Sequence, residues 1–398
     1  MALFDLSRQA AVVGIGTSDK FGLVLDQSPA RLQMQAFRAA LDDAGLRAAD
    51  VDGFATGHGA PQGMDYDEFA IQSGCELRWA VQMWTHGRWA STQVAQAALA
   101  VTSGLADCVA IINTITNGRG YGRHLAALGE GTVREAFRDV GGGHGEAGPY
   151  GLDTPGSATA MVAQRYMDLY GATSEHLAAG PIAFRRHAQL NPMAIMRDKP
   201  LTLEQYLESP PLVGPFRLFD YCLRNEGSTC LLVTTAERAR AMGARAVLVS
   251  GVQGARASRD DFIMFARPGM GLGFTDEHDY QAGQMPVYQM AGLGADDIDA
   301  LYVYDSFSSN LWMVLERFGF CPPGEAYLWT QGGQIELGGR LPVNTNGGLH
   351  SEAHLSGFGH LLEMVRQVRQ EAGPRQVPKA EAVQWATPWG DSLIFTSS

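Results

Sequence analysis

Cysteine is scarce in this sequence, and the few cysteines are not spaced for a disulfide framework or a metal site. The five cysteines among the 398 residues are Cys75, Cys108, Cys222, Cys230 and Cys321. Their number is odd and no pair has Cys-x-x-Cys spacing, so we predict reduced thiols in hydrophobic cores and no metal centre. Cys108 lies in the apolar run at residues 106–112 and is expected to be a buried strand residue.

Basic runs and long apolar runs are also missing. No stretch reaches the ~18 uninterrupted apolar residues typical of a membrane span. Residues 1–8 lack the basic segment and apolar core of an export signal, so we expect a cytoplasmic protein. The formal net charge of -12, without any run of lysine or arginine, argues against a nucleic-acid partner.

The chain repeats itself at long range. Residues 44–54 return as residues 291–301, in each case after an amphipathic helical stretch and before a strand-like run. Two short apolar segments that end in glycine, residues 11–16 and 246–251, form a second pair. A third pairing matches the predicted helix and strand at 90–113 with those at 352–387. We therefore predict two copies of one α/β unit, packed as two α/β layers about a pseudo-twofold axis.

The region between the two copies has a different composition. It is richer in glycine, proline and aromatic residues and carries several loop signals. We interpret residues 114–227 as an inserted loop domain that covers the active site. The amino-terminal half would then comprise residues 1–113 plus 228–240, and the carboxyl-terminal half residues 241–398.

Residues 342–360 combine a glycine turn with a histidine. Gly347 and Gly348 permit positive φ and close backbone approach, and Ser351 could cap a helix that continues to residue 369. His354 would then lie near exposed backbone N–H groups, which would lower the pKa of its imidazole and suit proton transfer. Ser356 is a weaker candidate for a hydrogen-bond donor in the pocket. The alternative is a solvent-facing histidine at a helix cap.

Tyr304 and Asp305 end an apolar strand that begins near Leu301. Strand ends followed by a turn are where α/β folds display reactive groups. The alternative reading makes Tyr304 a half-buried sheet residue whose hydroxyl bonds to the backbone. Because the His354 segment offers a matching site, we favour a functional role.

Other polar residues are weaker candidates. His58 follows the strand of the first repeat and could reach the cavity, as could His86, although for both the favoured interpretation is a loop histidine with satisfied hydrogen bonds. Arg185, Arg186 and Arg217 are part of the basic grouping in the loop region and could meet an anionic ligand. Residues of this kind are more often solvated surface charges.

These segments resemble those of the thiolase superfamily. The Asn-x-x-Gly-Gly motif that begins at Asn344 is similar to the histidine-bearing thiolase loop, and Asp305 with Phe307 matches the His-Asp-x-Phe loop, with Tyr304 at its first position. The thiolase nucleophile is missing, because Gly87, or Arg88 if the register slips by one, stands at the cysteine position. Covalent acyl-enzyme chemistry through a thiolate is therefore not expected.

The resemblance implies a thiolase fold: α/β, with two pseudo-twofold-related halves in a five-layered αβαβα arrangement and an inserted loop domain. Nearly the whole chain is similar to the sterol-carrier-protein type of thiolase-like proteins. The cysteine-less branch of that group includes the lipid-transfer-protein-like aldolases of bacterial steroid side-chain degradation, which cleave β-hydroxyacyl-CoA esters by retro-aldol chemistry. Those aldolases have tyrosine where this chain has His354.

Retro-aldol cleavage needs a base, an acid and donors for the thioester oxygen, but no acyl carrier. The resemblance implies that Tyr304 and His354 form the acid/base pair and that Asp305 orients them. Backbone N–H groups near Gly347 and Gly87 would hold the oxyanion, and Gly348 is counted with them among the residues that bind the CoA ester. CoA would enter as part of the substrate, with no covalently bound cofactor, and the arginines named above would meet its phosphates.

The branch also implies partners and leaves two alternatives open. Its members act with a small zinc-ribbon and OB-fold subunit that helps to bind the acyl-CoA, and thiolase cores are homodimers. One alternative is an acyltransferase in which another residue such as Cys75 replaces the nucleophile. The other is a non-catalytic scaffold that binds lipid or CoA.

Overall fold

The structure, a computed structural model, describes residues 6–57, 62–83, 89–116, 155–255 and 285–398. The strands in these ranges are β1 (Ala10–Thr17), β2 (Gly53–Thr56), β3 (Trp79–Gln82), β4 (Cys108–Thr116), β5 (Pro211–Val213), β6 (Phe216–Arg217), β7 (Glu226–Thr235), β8 (Val247–Gln253), β9 (Ala300–Val303), β10 (Ala382–Ala386) and β11 (Ser392–Ser397). The α-helices are α1 (Pro29–Ala44), α2 (Tyr66–Ser73), α3 (Ala90–Thr102), α4 (Pro155–Tyr170), α5 (Ser174–Gln189), α6 (Leu203–Glu208), α7 (Ala236–Ala241), α8 (Pro286–Ala291), α9 (Asn310–Arg317), α10 (Ala326–Trp329), α11 (Gly348–Ser351) and α12 (Phe358–Val368).

Nine of these strands form one hydrogen-bonded sheet in the order β3-β2-β4-β7-β1-β8-β11-β10-β9. The two halves meet where β1 pairs antiparallel with β8, Ala11 opposite Leu248 and Val12 opposite Val247. Within the halves, β2 is parallel to β3 and β4, and β9 is parallel to β10. The carboxyl ends of β9 and β10 therefore lie side by side.

The internal repeat predicted from the sequence is present in the structure. In the first copy α1 ends at Gly45, which has a φ of 65°, and a single 3₁₀ turn leads into β2. In the second copy α8 ends at Gly292, which has a φ of 69°, and another 3₁₀ turn leads into β9. The left-handed conformation explains why glycine follows the helix in both copies.

Glycines near the ends of the paired strands β1 and β8 also have equivalent roles. A Cβ atom on Gly16 would collide with the Ala36 carbonyl of α1, and one on Gly251 with the Val287 carbonyl of α8. Because glycine has no side chain, α1 can pack closely on β1 and α8 closely on β8.

Three of the four hydrophobic cores among the described residues include strands of the large sheet. Alternate residues of β1 serve different cores: Ala10 and Val12 belong to the central core, whereas Ala11 and Val13 pack with α1 in an outer core. Helices α3 and α12 lie in the central core and contact strands of both halves. Because α1 and α8 pack on the outer faces, the order of layers is helix, first half of the sheet, helix pair, second half of the sheet, helix.

Most elements lie where the sequence pattern predicts them, with one important exception. The predicted helix at 90–103 is α3, and the strands expected at 108–113 and 228–234 are β4 and β7. Strands β4 and β7 extend by a few residues into the stretch interpreted as an inserted domain. The predicted helix at 352–369 does not begin until Phe358, which changes the surroundings of His354.

All five cysteines are free thiols, and only Cys222 is not fully buried. Cys108 lies in β4, as predicted, and burial raises the pKa of its thiol to about 12.

Among the described residues, no helix is both long and apolar enough to cross a membrane.

Candidate active site

Tyr304 is held at the end of β9 by backbone contacts on both sides. Its N–H donates to the carbonyl of Ala386 at 3.1 Å, which continues the pairing of β9 with β10. Its carbonyl accepts from the side chain of Asn310 at 2.9 Å. The side chain is only 1% exposed and is packed between Trp385 and Trp389, with ring centroids 6.0 and 5.7 Å away.

The two residues selected from separate motifs meet in the structure. The Tyr304 hydroxyl oxygen lies 3.3 Å from Nε2 of His354, although the residues are 50 positions apart in the chain. One comes from the end of β9 and the other from the linker between α11 and α12. The contact places an imidazole and a phenol, both able to transfer protons, in one aromatic pocket.

His354 does not start a helix, and this part of the sequence-based prediction is wrong. Residues 352–357 form an irregular linker in which Ser356 has a φ of 50°, and Gly357, the N-cap of α12, has a φ of 85°. A Cβ atom on Gly357 would collide with the Trp385 ring, so this turn requires glycine. Ser351 is the last residue of α11, and its hydroxyl accepts a hydrogen bond from Arg185.

The pKa of His354 is lowered, but not by a helix terminus. Burial lowers the pKa of this imidazole to about 4, while the nearby Asp305 carboxylate acts in the opposite direction. A buried imidazolium is costly because it loses its hydration. His354 is therefore neutral near pH 7 and can accept a proton.

This shift predicts a dependence of stability on pH. The unfolded chain takes up a proton at His354 near its ordinary pKa of 6.5, and the folded protein only near 4, so stability falls as the pH drops through this window. His354 alone should cost about 1 kcal/mol of unfolding free energy between pH 7.5 and 5.5. Urea unfolding at both pH values should show a smaller loss for His354→Gln than for the parent. An equal loss in the two proteins would contradict the shift.

Asp305 is the centre of a buried hydrogen-bond network. Its carboxylate accepts from the N–H groups of Leu349 and His350, at 3.0 and 3.4 Å, and lies 3.1 Å from Nε2 of His360. Burial raises the pKa of Asp305, but the bond from His360 and the neighbouring histidines outweigh it, so the pKa stays below its ordinary value. These hydrogen bonds orient the turn before His354 and the His360 ring. That Asp305 also orients the side chains of Tyr304 and His354 stays a prediction. Its charge acts on His354 through space.

The glycine turn has the predicted backbone but not the predicted role. Gly347 and Gly348 have φ values of 107° and 68°, and a Cβ atom on Gly348 would collide with the Asp305 carboxylate. However, the Gly347 N–H donates to the Asn344 carbonyl at 2.9 Å and the Gly348 N–H to Asn346 Oδ1 at 3.3 Å. Because these donors are already used, the turn positions the loop and does not offer an oxyanion hole.

Two residues of the site were missed at the sequence level. His360 is 1% exposed and bridges Asp305 to Asn346, with Nδ1 3.1 Å from Asn346 Oδ1. A Gly-His pair at 359–360 within the motif was the available signal. Asn225 contacts the backbone of His354 from 129 positions earlier in the chain, and no local pattern marks it.

The basic residues do not form one anion site. Arg185 is 5% exposed, and its guanidinium donates to Ser351 and to the Lys199 carbonyl, so the expected contact with CoA phosphates is wrong for this residue. Arg186 pairs with Glu336, and Arg217 donates to the Ser209 carbonyl. Contacts of Arg186 and Arg217 with a ligand stay predictions.

The remaining candidates are two histidines, one glycine, Ser356 and Cys75. Ser356 is buried in the linker beside His354. His58, His86 and Gly87 lie outside the described residues. Cys75, the alternative nucleophile, is 5% exposed, donates to the Ala48 carbonyl, and has a pKa raised by burial. A protonated, buried thiol is a poor nucleophile.

Solved structures share this architecture. A chain described as Ltp2-ChsH2(DUF35) aldolase superposes with a TM-score of 0.84 at 31% identity and covers 98% of both chains. Human mitochondrial 3-ketoacyl-CoA thiolase superposes with a TM-score of 0.65 at 14% identity over the full length of both, which supports the fold alone. A family profile described as thiolase C-terminal domain-like matches residues 273–390.

Curated relatives of the chain include two aldolases or lyases. The 17-hydroxy-3-oxo-4-pregnene-20-carboxyl-CoA lyase of Mycobacterium tuberculosis is 36% identical over 372 residues, 92% of each chain. A steroid side-chain-cleaving aldolase of Thermomonospora curvata is 34% identical and covers 90% of each chain. The fold defines a thiolase-type α/β protein. The chain belongs to the thiolase-like family that includes the steroid side-chain-cleaving aldolases.

Proposed function

We propose that this protein is the catalytic subunit of an aldolase that cleaves a β-hydroxyacyl-CoA thioester with a steroid or similar side chain. The observation that carries the proposal is the contact between the Tyr304 hydroxyl and His354, at 3.3 Å, in a chain of this family without an exposed thiol among its described residues. The reaction needs proton transfer and no covalent acyl carrier.

The two residues supply complementary proton chemistry. Cleavage removes the proton of the β-hydroxyl group, breaks the Cα–Cβ bond, releases a carbonyl product and leaves a thioester enolate that is protonated at Cα. A neutral imidazole can accept the first proton through or beside the Tyr304 hydroxyl, and the same pair can return a proton to the enolate carbon. The Asp305 carboxylate favours the charged imidazole electrostatically while that proton is held.

The assay that tests this proposal uses a steroid β-hydroxyacyl-CoA and follows both products. Mass spectrometry should detect the shortened acyl-CoA and the carbonyl fragment in equal amounts. Formation of an acylated protein, or of a lengthened acyl-CoA, would instead indicate acyltransferase chemistry.

The absence of a thiolate at the nucleophile position leads to a prediction about the cysteines. Replacing all five by alanine or serine should leave turnover within about tenfold of the parent, which corresponds to ~1.4 kcal/mol of activation free energy. Circular dichroism and thermal melting should establish that the variant is folded. Loss of turnover in a folded variant would show that a thiol takes part.

We also propose the assembly and location of the enzyme. A homodimeric core in the cytoplasm would act with a separate small subunit that carries a zinc ribbon and an OB-fold and helps to bind the CoA ester. The solved relative described as an Ltp2-ChsH2(DUF35) aldolase supports a second subunit, as does the net charge of -12. The division into residues 1–113 plus 228–240, 114–227 and 241–398 is part of the same proposal.

A second prediction concerns this partner. The isolated chain should bind CoA esters weakly and turn over poorly, because Arg185, Arg186 and Arg217 already have protein partners, and the partner subunit should restore both properties. Calorimetry and turnover should be measured for the chain alone, for the pair, and for the pair with His354→Ala. Full activity of the isolated chain would exclude an obligatory partner.

A further inference from the structure

Residues 220–225, here called the strap, run between the two loops that carry Tyr304 and His354. On one side, the Ser308 N–H donates to the Asp220 carbonyl at 3.2 Å, Tyr221 forms an antiparallel bridge with Phe307, and the Cys222 N–H donates to the Ser306 carbonyl at 3.1 Å. These contacts hold the loop that follows β9.

The strap next contacts the segment that carries His354. The Leu223 N–H donates to the Leu349 carbonyl at 2.9 Å. Asn225, which is 0% exposed, then makes two hydrogen bonds to the backbone of a single residue. Its Oδ1 accepts from the His354 N–H at 2.6 Å, and its Nδ2 donates to the His354 carbonyl at 3.3 Å.

This double contact holds a part of the chain that has no regular structure of its own. Residues 352–357 lie between α11 and α12, and two of them are left-handed. In a helix or strand, regular backbone hydrogen bonds would hold the backbone of His354. Here the side-chain amide of Asn225 makes those hydrogen bonds instead. Asn225 immediately precedes β7, which lies inside the sheet, so the amide has a rigid support.

We infer that Asn225 is a positioning residue for His354 and that the strap sets the spacing between His354 and Tyr304. The inference rests on the proposed function only where turnover is concerned. The environment of the imidazole can be measured without any substrate.

Matched variants test the inference. Asn225→Ala removes both hydrogen bonds to His354, and Asn225→Asp keeps the size but places a carboxylate beside the linker. Asn113→Ala is the control, because Asn113 is also 0% exposed and donates to the carbonyl of the next residue, Leu355, at 3.1 Å. Thermal melting should establish that each variant is folded.

The first readout is the titration of His354 by NMR of protein with ¹³C-labelled histidine, assigned by comparison with His354→Gln. The groups that act on this imidazole include Tyr304, Asp305, which raises its pKa, and His360, which lowers it. None of these groups is changed in the variants. His354 should stay neutral from pH 8 to pH 5 in the parent and in Asn113→Ala. It should titrate within that range in both Asn225 variants. In Asn225→Ala the relaxed linker hydrates the ring, and in Asn225→Asp the new carboxylate favours the charged imidazole. Either effect should raise the pKa of His354 by roughly 1 unit or more.

The second readout is turnover of the chain with its partner subunit. Asn225→Ala should lower kcat by roughly tenfold or more with little change in KM, because the changed position and hydration of the imidazole affect proton transfer and not substrate binding. If His354 titrates alike in both Asn225 variants and in Asn113→Ala, the inference is overturned. If Asn225→Ala does not fold, the comparison is made between Asn225→Asp and Asn113→Ala. If the Asn225 variants shift the titration while His354→Gln leaves turnover unchanged, the positioning role stands and the proposed function fails.

Discussion

Replacing Tyr304 by phenylalanine, or His354 by alanine, should each lower kcat by roughly 10²- to 10⁴-fold, the usual range for a positioned acid or base. The reason is the 3.3 Å contact between the hydroxyl and the imidazole, together with burial that keeps the imidazole neutral. Steady-state kinetics with the partner subunit present measures the effect. Tyr302→Phe is the matched control, because its hydroxyl contacts Thr345 in the core, 2.7 Å away, and should leave kcat unchanged.

The double variant distinguishes one shared proton path from two independent effects. Tyr304→Phe combined with His354→Ala should be little slower than the slower single variant, since residues that act as a unit are not additive. If the two single effects multiply, the pair does not share a proton. If either single variant keeps full kcat while the CoA ester still binds, that residue has a structural role only.

Removal of the Asp305 carboxylate should have the largest effect on stability. Asp305→Ala leaves the N–H groups of Leu349 and His350 and the ring of His360 without their buried acceptor, and should cost about 3–5 kcal/mol of unfolding free energy. Urea unfolding at pH 7.5 measures the loss. Asp296→Ala, at an exposed position in the turn before β9, is the control and should change stability by less than about 0.5 kcal/mol.

A loss below about 1 kcal/mol for Asp305→Ala would mean that water or a rearranged loop replaces the carboxylate. Asp305→Asn separates shape from charge, because it keeps the size of the side chain and one acceptor oxygen. It should also lower the pKa of His354 further, since the opposing negative charge is gone.

The sequence was sufficient to predict the internal repeat and to select Tyr304 and His354 as candidate site residues. Residues 44–54 and 291–301 share a helix end, a turn and a strand because each copy meets the same local demands, including a left-handed glycine after the helix. Tyr304 and His354 could be selected because each lies in a short motif whose function depends on neighbouring residues. Local patterns of this kind can be recognised in a sequence without knowledge of the tertiary structure.

The surroundings of His354 could not be predicted from a local sequence pattern. The motif predicted a continuous helix, but Ser356 and Gly357 adopt left-handed conformations and Trp385 packs against the turn, so the helix begins only at Phe358. The lowered pKa was expected from a helix terminus and arises from burial. Burial depends on residues from many elements, and no local window contains them.

The sequence by itself determined the two-copy α/β architecture, the absence of cysteine at the expected nucleophile position, and the choice of Tyr304 and His354 as the proposed proton-transfer pair. Only the tertiary structure decided which donors and acceptors are already used. The N–H groups of Gly347 and Gly348 are consumed within their own loop, Arg185 is buried, and Asn225 reaches His354 from 129 positions away. Hydrogen-bond partners across such distances depend on how the layers pack, because each buried polar group must find its partner among whatever residues the fold brings near.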